Sequence, residues 1–582
     1  MKQAPIDLNR ITDQDTYDVV VLGSGAAGAS AALNARLNGS RVLWVERTEH
    51  VGGTSAWSAA TAWVPCTRPG LKVNPQDSLD KAAHFLDHAV GDRAPRDLRM
   101  SFLQHGPQAI DRLERESELK FQVRMLHPDY LSELPDAMLR GRAIEPCPFD
   151  GRLLGPNLSL LRSPIPEFTV LGGMMVDRDD IFHLLRLTQS LTSFRYSLRI
   201  IARHAMDRMM GPRGTRLVMG NALIARMLYS YLLNSGELVT RTEAVALHQG
   251  PEGITGVTLR QMQAHGSSVE RHIQVKGGVI LATGGFNRHP VLRSTWLPGI
   301  DPHWSPSAPG HTGTALELAM QAGAVLSQPD QTAAFWAPCS TRTRTDGTQA
   351  VFPHFVMDRG KPGMLTVDQS GKRFVNESTS YHLFALAMQA RHREVAAIPA
   401  WLIADAPALG RYGMGMIRPG GKGLAPFLAE GYLRQGRTLA ELAQAIAVPA
   451  TALQDTVTRF NAMAEQGVDS DFQRGTTEYQ RANGDPNWQG PNPCLGPLSQ
   501  GPFYALALYP GDIGASMGLK TDAQARVLDA QGQPLAGLYA CGNDMNSIMG
   551  GTYPAPGITI GPGLVFGYLA AQQACSRSKG QA

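Results

Sequence analysis

The sequence has few cysteines, and they do not form a pattern that could bind a metal or a cluster. Its six cysteines are scattered over 582 residues, without a CxxC pair or a Cys/His cluster. Zinc sites, iron–sulfur sites and disulfide frameworks need closely spaced thiols, so the spacing argues against all three. We therefore predict no metal site and a reducing, cytoplasmic setting.

The sequence also lacks a strong excess of charge of either sign. Lys and Arg number 54 against 50 Asp and Glu, so a net charge of +4 is spread over a large surface without a polybasic run. A nucleic-acid partner is therefore not predicted. The arginine-containing stretch 195–208 is interpreted as a solvated helix face rather than a membrane anchor.

A long uninterrupted apolar run is absent as well. Residues 19–35 are apolar, but three glycines interrupt them and acidic residues precede them. This pattern indicates a strand, a turn and a helix rather than a signal peptide or a membrane span. The chain has no tandem repeat. Its 43% hydrophobic and 18% charged residues are typical of a soluble globular protein, and its length suggests two to four domains.

Glycine, by contrast, is abundant, and the first informative glycines lie near the N-terminus. A β-branched run at residues 17–22 leads into GSGAAG, then a helical stretch, then a second strand that ends at Glu46. The three glycines allow a tight turn, close approach of a pyrophosphate and close helix–strand packing, and Glu46 can accept hydrogen bonds from a ribose. We predict a dinucleotide site formed by Gly23, Ser24, Gly25, Ala26, Ala27, Gly28 and Glu46.

Three later segments favour FAD as the dinucleotide. The loop GGTSAWS at 52–58 is small and rich in hydroxyl groups, as a neighbour of a ribityl chain must be. Two more short strands, at 277–287 and 537–543, end in glycine turns. Ala244 is either an adenine contact or an ordinary strand residue, and His311 is either a flavin neighbour or a helix cap. The further predicted cofactor residues are Arg47, Gly53, Thr54, Ser55, Ser58, Ala244, Gly284, Gly542 and Asn543.

In this order, the four segments resemble the fumarate reductase/succinate dehydrogenase superfamily of flavoproteins. The resemblance implies an α/β fold: a Rossmann-like FAD-binding domain, with a parallel sheet and helices, interrupted by an inserted α+β catalytic capping domain. We expect the FAD-binding domain at 1–295, with a helical excursion at about 180–235, the capping domain at 296–505 and a return segment at 506–582. His50 is too close to Gly52 to match the flavinylated histidine of succinate dehydrogenases, so noncovalent FAD is predicted.

The segment GKRFVNESTSY, which contains Gly371, separates this chain from the fumarate reductases. It resembles the GKRFVNE segment of that superfamily, in which an arginine five residues after the asparagine donates a proton to a dicarboxylate. Here the position five residues after Asn376 is Tyr381. A neutral phenol in place of a permanent cation disfavours a small dianionic substrate.

The C-terminal string TYPAPGITIGP at 552–562 resembles the 3-ketosteroid Δ1-dehydrogenases. Three further stretches, HPDYLSELP, GRAIEPCPFD and RGTRLVMGNALIARML, resemble the same family, so the similarity runs nearly the full length. The resemblance implies that Tyr553 and the Gly557 N–H bind the substrate carbonyl and that Tyr381 removes a proton with help from Tyr130. Tyr130 rests on a looser match, and a structural tyrosine in a proline-rich loop is its alternative. Thr559 and Ile560 complete the predicted cofactor contacts.

We therefore expect an FAD-dependent dehydrogenase that forms a C=C bond beside a ketone, by 1,2-desaturation of 3-ketosteroids. The α-proton goes to Tyr381 and a hydride to flavin N5, and an external acceptor such as a quinone reoxidises the flavin. The alternatives are desaturation of another cyclic ketone or another steroid bond, a fumarate reductase-like enoate reductase, and a flavin-binding protein without chemistry. Peripheral membrane association is left open, because steroids and quinones are apolar.

Overall fold

A mixed sheet of eight strands forms the centre of the molecule. The computed structural model describes residues 4–263, 266–328, 332–355 and 358–581. The first strand, Thr16–Leu22, lies between two parallel neighbours, which explains its uninterrupted β-branched sequence. The strands follow in the order Glu237–Val239, Val42–Val45, Thr16–Leu22, Ser268–Leu281, Gly253–Met262 and Thr242–Gly250, with Pro534–Ala540 parallel to Ser268–Leu281 and Arg526–Leu528 antiparallel to Pro534–Ala540.

Helices made of small residues pack closely on this large sheet. Helix Ala26–Leu37 follows the first strand and lies against Ile560–Ser578, the last helix of the chain. A Cβ atom at Gly567 would lie 2.6 Å from the Ala27 carbonyl oxygen, so the contact depends on glycine. The first and last parts of the chain therefore share one layer.

A second sheet of six antiparallel strands lies beside the first. Its strands follow in the order Gln349–Pro353, Ala334–Thr343, Phe503–Ala515, Ala400–Ala404 and Met364–Val367, with Leu433–Gly436 also paired to Phe503–Ala515. Because Phe503–Ala515 pairs within this sheet along its length, we propose that the capping domain ends near residue 515 rather than 505. The helices of this region are Pro290–Trp296, Thr314–Gln321, Tyr381–His392, Ala406–Tyr412, Ala425–Ala429, Leu439–Ala445, Ala450–Gln466 and Glu478–Asn483.

The segment between strands Val42–Val45 and Glu237–Val239 of the large sheet is mainly helical. A three-stranded sheet of Ala62–Trp63, Ala143–Pro146 and Phe121–Val123 lies next to the last helix. Two helices that project from this segment, Arg178–Leu185 and Leu191–Met210, form the helical excursion. The other helices are Arg68–Val73, Leu79–Val90, Arg96–Glu116 and Met219–Leu233. Over the described ranges, no helix is long and apolar enough to cross a membrane.

Candidate active site

One cavity of about 500 Å³ runs from the N-terminal glycine turn to the edge of the second sheet. Gly23 to Ala27 and Glu46 line one end, and four tyrosines line the other. The cavity therefore joins the predicted nucleotide site to the predicted ketone site. Every predicted cofactor residue except Gly28 lines it.

Gly28 lies under the turn rather than on the cavity wall. A Cβ atom there would lie 2.1 Å from the Gly23 carbonyl oxygen, and one at Gly23 would lie 2.2 Å from the Ala282 carbonyl oxygen. Gly23 also has φ +102°, a conformation that favours glycine. These glycines allow backbone to touch backbone, which leaves the N-terminal end of helix Ala26–Leu37 facing the cavity.

Glu46 is buried at the cavity wall, where hydroxyl groups fix its orientation. The Ser24 hydroxyl donates to one carboxylate oxygen, and the Thr48 N–H and hydroxyl donate to the other at 2.7 Å each. Arg47 also lines the cavity and is held by Glu243 at 3.1 Å and the Thr312 hydroxyl at 2.7 Å. An acidic group held in this way suits the ribose contact predicted for Glu46.

The hydroxyl-rich loop is attached to the glycine turn. The Ala26 N–H donates to the Ser55 hydroxyl oxygen at 3.0 Å, and the Ser58 hydroxyl donates to the Ser55 carbonyl at 2.8 Å. The Thr54 hydroxyl oxygen accepts from the Ala308 N–H at 2.8 Å. The loop thus presents small side chains along the middle of the cavity.

His311 faces this middle part and remains neutral. It is buried, and burial lowers its pKa to about 4. Its Nδ1 atom has no hydrogen-bond partner among the described residues, although the residue lines the cavity. A Cβ atom at Gly284 would lie 2.7 Å from its Nε2 atom, so only glycine fits there. An unpartnered buried nitrogen on a cavity wall is what a site for a polar ligand requires.

Asp544 is a structural residue of the site that the sequence analysis missed. Its carboxylate accepts from the Gly285 N–H and the Thr283 hydroxyl, both at 2.8 Å, and burial raises its pKa. It therefore fixes the Gly284 turn against the Gly542–Asn543 turn. The residue directly follows the motif GLYACGN, but no local pattern distinguishes it from a surface aspartate.

The remaining predicted cofactor residues complete the cavity wall: Ala244, Gly542, Asn543, Thr559 and Ile560. His50 lies outside it and pairs with Glu49 at 3.3 Å, and noncovalent binding of FAD stays a prediction. Backbone turns that only glycine can form, a fixed acid at one end and an unpartnered imidazole in the middle all fit FAD.

Three tyrosines from distant parts of the sequence meet at the other end. The ring centroids of Tyr381 and Tyr553 are 5.1 Å apart, and those of Tyr130 and Tyr553 are 5.8 Å apart. The Tyr130 hydroxyl donates to the Tyr381 hydroxyl oxygen at 3.4 Å. The structure thus brings together the three phenols that the sequence analysis selected.

Long-range contacts hold each of these tyrosines. The Tyr130 N–H donates to the Pro554 carbonyl at 2.7 Å, which links the loop of Tyr130 to that of Tyr553. The buried pair of Asp129 and Arg142, 3.1 Å apart, supports the loop from behind. Tyr381 is the first residue of helix Tyr381–His392.

Burial controls the protonation of the phenols. It raises the pKa of Tyr381 well above the usual value, with further contributions from Tyr130 and Tyr553, and it also raises the pKa of Tyr553. Both side chains therefore carry a proton at neutral pH in the free protein.

Gly557 offers a backbone donor beside Tyr553. It has φ +86°, and a Cβ atom would lie 2.3 Å from the Thr61 carbonyl oxygen. Its carbonyl accepts from the Trp63 and Gly561 N–H groups, whereas its own N–H makes no hydrogen bond to the described parts of the chain. Because Gly557 lines the cavity, this N–H is available to a ligand oxygen.

A fourth tyrosine, Tyr479, also belongs to this end of the cavity. Its ring centroid is 4.8 Å from that of Tyr130, and its hydroxyl has no partner within the described ranges. Burial raises its pKa to about 12. Tyr479 was not predicted from the sequence, because the segment around it resembles none of the family motifs that selected the other three tyrosines.

The chain resembles known flavoproteins and dehydrogenases over nearly its full length. The family model described as "FAD binding domain" matches residues 18–560. The chain is 36% identical over 97% of its length to 4-oxocyclohex-2-ene-1-carboxylate 5-dehydrogenase of Sinomonas cyclohexanicum, of which 95% is covered. It is 34% identical over 95% of its length to 3-oxosteroid 1-dehydrogenase of Mycolicibacterium smegmatis, of which 96% is covered. A solved structure of 3-ketosteroid delta1-dehydrogenase from Sterolibacterium denitrificans, in complex with 1,4-androstadiene-3,17-dione, superposes with a TM-score of 0.89 at 32% identity, covering 97% of this chain and 100% of that one.

Proposed function

Since this chain belongs to the FAD binding domain family of flavoproteins, we propose that it forms a C=C bond between the α- and β-carbons of a cyclic ketone. The observation that carries this proposal is the convergence of Tyr130, Tyr381, Tyr553 and the free Gly557 N–H at one end of the FAD cavity. Two or more oxygen-binding donors and a proton acceptor are the groups that α,β-dehydrogenation of a ketone needs.

Tyr553 and Gly557 bind the ketone oxygen in this proposal. The raised pKa of Tyr553 keeps its hydroxyl protonated, so it donates a hydrogen bond at neutral pH. Negative charge that develops on the oxygen is stabilised by both donors, and one such donor can contribute about 3–4 kcal/mol. Because the negative charge on the oxygen is stabilised, the proton on the α-carbon becomes more acidic and is easier to remove.

Tyr381 takes that α-proton on its phenolate oxygen. The Tyr130 hydroxyl donates to the same oxygen. In the free protein Tyr130 contributes to the raised pKa of Tyr381, so we propose that Tyr130 assists by keeping this hydrogen bond to the oxygen when it accepts the proton. FAD held by the residues of the glycine turn and the hydroxyl-rich loop would supply a hydride acceptor for the β-carbon, so that two electrons and two hydrogens would be removed in total. Tyr381 and Tyr553 are buried and Tyr130 is partly buried, which limits the access of water and strengthens each of these interactions.

A 3-ketosteroid is the substrate that we propose, with the double bond formed between C1 and C2. Beyond the tyrosines, the cavity wall consists largely of apolar side chains, including Ile165, Phe168, Val176, Phe335 and Phe355. Such a wall suits a rigid, multi-ring apolar ketone. The two 3-ketosteroid dehydrogenases that resemble the chain over nearly its full length support this choice.

Anaerobic mixing tests this proposal directly. The oxidised holoenzyme is mixed with 4-androstene-3,17-dione, and the flavin absorbance near 450 nm should bleach in one turnover. If the steroid leaves the flavin oxidised while simple cyclohexanones bleach it, the steroid assignment is wrong. If no ketone bleaches it and fumarate reoxidises the reduced enzyme, the reductase alternative holds.

Arg178 favours a second candidate, a smaller cyclic ketone that carries a carboxylate. It is exposed at the cavity wall, and its acidic neighbours Asp177 and Asp179 face Arg216 at 3.9 Å and Arg124 at 3.0 Å instead. Burial raises the pKa of Tyr130 well above its usual value, and the positive charge of Arg178 opposes part of that rise. The similarity to 4-oxocyclohex-2-ene-1-carboxylate 5-dehydrogenase supports this reading.

The Arg178→Met variant separates the two substrate classes. If a carboxylate is recognised, KM for 4-oxocyclohexanecarboxylate should rise about tenfold, equivalent to about 1.4 kcal/mol, whereas KM for its methyl ester should not change. Equal KM values for wild type and variant would remove the second candidate.

The electron acceptor and the compartment complete the proposal. We propose an external acceptor such as a quinone. All six cysteines are free thiols in the structure, which supports a reducing, cytoplasmic setting.

A further inference from the structure

Of the described residues, three arginines line the cavity, and one of them is buried without an acidic partner. Arg47 is paired with Glu243 at 3.1 Å, and Arg178 is exposed to solvent. Arg162 is only 7% exposed, and within the described ranges it forms no ion pair with an Asp or Glu side chain. A buried charge is unfavourable unless an opposite charge compensates it. An anion bound in the cavity would provide that compensation.

The hydrogen bonds of Arg162 fix its side chain but use only part of its guanidinium group. Nη2 donates to the Thr48 hydroxyl oxygen at 2.7 Å and to the His50 carbonyl oxygen at 3.2 Å. Nε is buried and has no partner among the described residues. Burial lowers the pKa of Arg162, and the charges of Glu46 and Glu49 oppose part of that fall. Because a guanidinium keeps its proton in proteins, the group still offers a positive charge and an unused N–H donor.

Arg162 acts on the part of the cavity between Glu46 and His311. Its charge is attracted to that of Glu46, the residue that we predict to bind the adenosine ribose. It also acts on His311 in the middle of the cavity: burial lowers the pKa of His311, and the charges of Arg288 and Arg162 lower it further. In the chemical order of FAD, the diphosphate lies between the adenosine ribose and the ribityl chain. The diphosphate is therefore the part of FAD expected beside Arg162.

We propose that Arg162 binds the diphosphate of FAD and supplies its counter-charge. A planar guanidinium group matches phosphate oxygens, to which it can donate paired hydrogen bonds. The N-terminal end of helix Ala26–Leu37 also faces the cavity, but a helix end contributes only about half a charge, which is less than a diphosphate carries. Arg47 adds little, because Glu243 neutralises it. Arg162 lies in none of the motifs that selected the other cofactor residues.

Two other roles account for Arg162 less well. An anionic substrate is better placed near Arg178, whose charge acts on Tyr130 at the ketone end of the cavity. A purely structural role needs no charge, because a neutral donor could also serve the Thr48 hydroxyl and the His50 carbonyl. The inference depends on the FAD cofactor, and it holds whichever ketone is the substrate.

Dilution of the holoenzyme tests the role of this charge. Ultrafiltration separates the FAD that is released, and its concentration gives the Kd for FAD. Arg162→Gln keeps a neutral donor and should raise this Kd at least about tenfold, equivalent to about 1.4 kcal/mol. Arg162→Met, a second uncharged variant, should show the same loss. Arg162→Lys keeps the charge and should recover most of it. Circular dichroism shows that the variants are folded.

Arg241→Gln is the matched control. Arg241 is exposed, lies outside the cavity wall and is paired with Glu49 at 2.9 Å. The variant removes the same charge from the same region, and its Kd for FAD should equal that of wild type. A wild-type Kd in Arg162→Gln would overturn the proposal. Equal weakening in Arg162→Lys and Arg162→Gln would also overturn it, because the charge would then not be the property that matters.

Competition by fragments of FAD identifies the part of the cofactor that Arg162 binds. ADP and adenosine, which differ by the diphosphate, are used to displace FAD from the holoenzyme. In wild type, ADP should bind at least about tenfold more tightly than adenosine, and Arg162→Gln should remove most of this difference. If ADP keeps its full advantage in the variant, Arg162 does not bind the diphosphate. Because neither measurement involves a ketone, this outcome is independent of the flavin-bleaching assay.

Discussion

Tyr381 and Tyr553 have the same side chain, yet the proposed reaction needs opposite behaviour from them. Tyr553 must keep its proton to donate a hydrogen bond, and Tyr381 must lose its proton to act as a base. Burial raises the pKa of both phenols. Burial therefore favours hydrogen-bond donation by Tyr553 and opposes proton loss from Tyr381. The reaction rate should consequently depend strongly on how readily Tyr381 ionises.

Removal of the Tyr381 hydroxyl should slow the reductive half-reaction strongly. In Tyr381→Phe, the rate of flavin bleaching by saturating ketone should fall about 10²- to 10⁴-fold, because general-base catalysis is lost. The FAD content should not change. Tyr504→Phe, which removes a buried phenol of the second sheet away from the cavity, is the matched control and should keep the wild-type rate. A Tyr381→Phe rate close to wild type would show that another group is the base.

The same bleaching rate should rise with pH. Since the pKa of Tyr381 lies well above its ordinary value of 10.0, only a small fraction is phenolate at neutral pH. Each unit of pH increases that fraction by about tenfold, so the logarithm of the bleaching rate should rise with a slope near one from about pH 6 to 9. Stopped-flow traces across this range measure the slope. A rate that is flat or falls with pH would contradict a phenolate base.

At the scale of elements, the residues around the Gly23–Gly28 turn fall into two groups: those that a local sequence motif could predict and those that it could not. Gly23, Gly25 and Glu46 were predicted because the strand, turn, helix and second strand are adjacent in sequence. Asp544 and Tyr479 were not, because their roles come only from contacts made across the fold, such as that of Asp544 with the Gly284 turn. Local chemistry can be predicted from local sequence, whereas long-range contacts require the structure.

Tyr130 lies between these two cases. A loose motif match selected it, and its position depends on a hydrogen bond from its N–H to the Pro554 carbonyl, more than 400 residues away. The domain boundaries depend on the same kind of information. Residue 505 lies inside a strand, Phe503–Ala515, whose partners are distant in sequence.

Gly28→Ala should damage the glycine turn itself. The new Cβ atom would meet the Gly23 carbonyl oxygen at 2.1 Å, so the helix must move away from the strand. We expect less bound FAD per protein, measured from the absorbance ratio at 450 and 280 nm. Gly410→Ala is a suitable control, because a Cβ atom there meets nothing within 4 Å. Full FAD occupancy in Gly28→Ala would show that the turn tolerates a side chain.

At the scale of the whole molecule, the FAD cavity lies where the two sheets meet. The largest apolar core runs without a break from Val19–Leu22 in the first sheet to Ala334–Ala337 in the second and to Tyr381 and Tyr553. A ligand in the cavity therefore contacts residues from both sheets at once. Its binding should stabilise the complete fold rather than one domain.

Thermal unfolding with added cofactor measures this coupling. A ligand at 100 times its Kd adds about 2.7 kcal/mol, so FAD should raise the Tm of the apoprotein in one cooperative transition. FMN lacks the adenosine that we propose as the partner of Glu46 and Ala244 in the cavity wall, so it should raise the Tm less at equal concentration. Two separate transitions, of which only one shifts with FAD, would show that the sheets unfold independently.

The close packing of the first and last helices has a consequence for protein synthesis. Strand Thr16–Leu22 and helix Ala26–Leu37 are synthesised long before helix Ile560–Ser578, which contacts both of them. Part of the apolar surface of helix Ala26–Leu37 therefore stays uncovered until helix Ile560–Ser578 has been synthesised. A stop codon just before Tyr553 would remove both this cover and the Tyr553 hydroxyl, so the cofactor site and the proposed ketone site would be lost together.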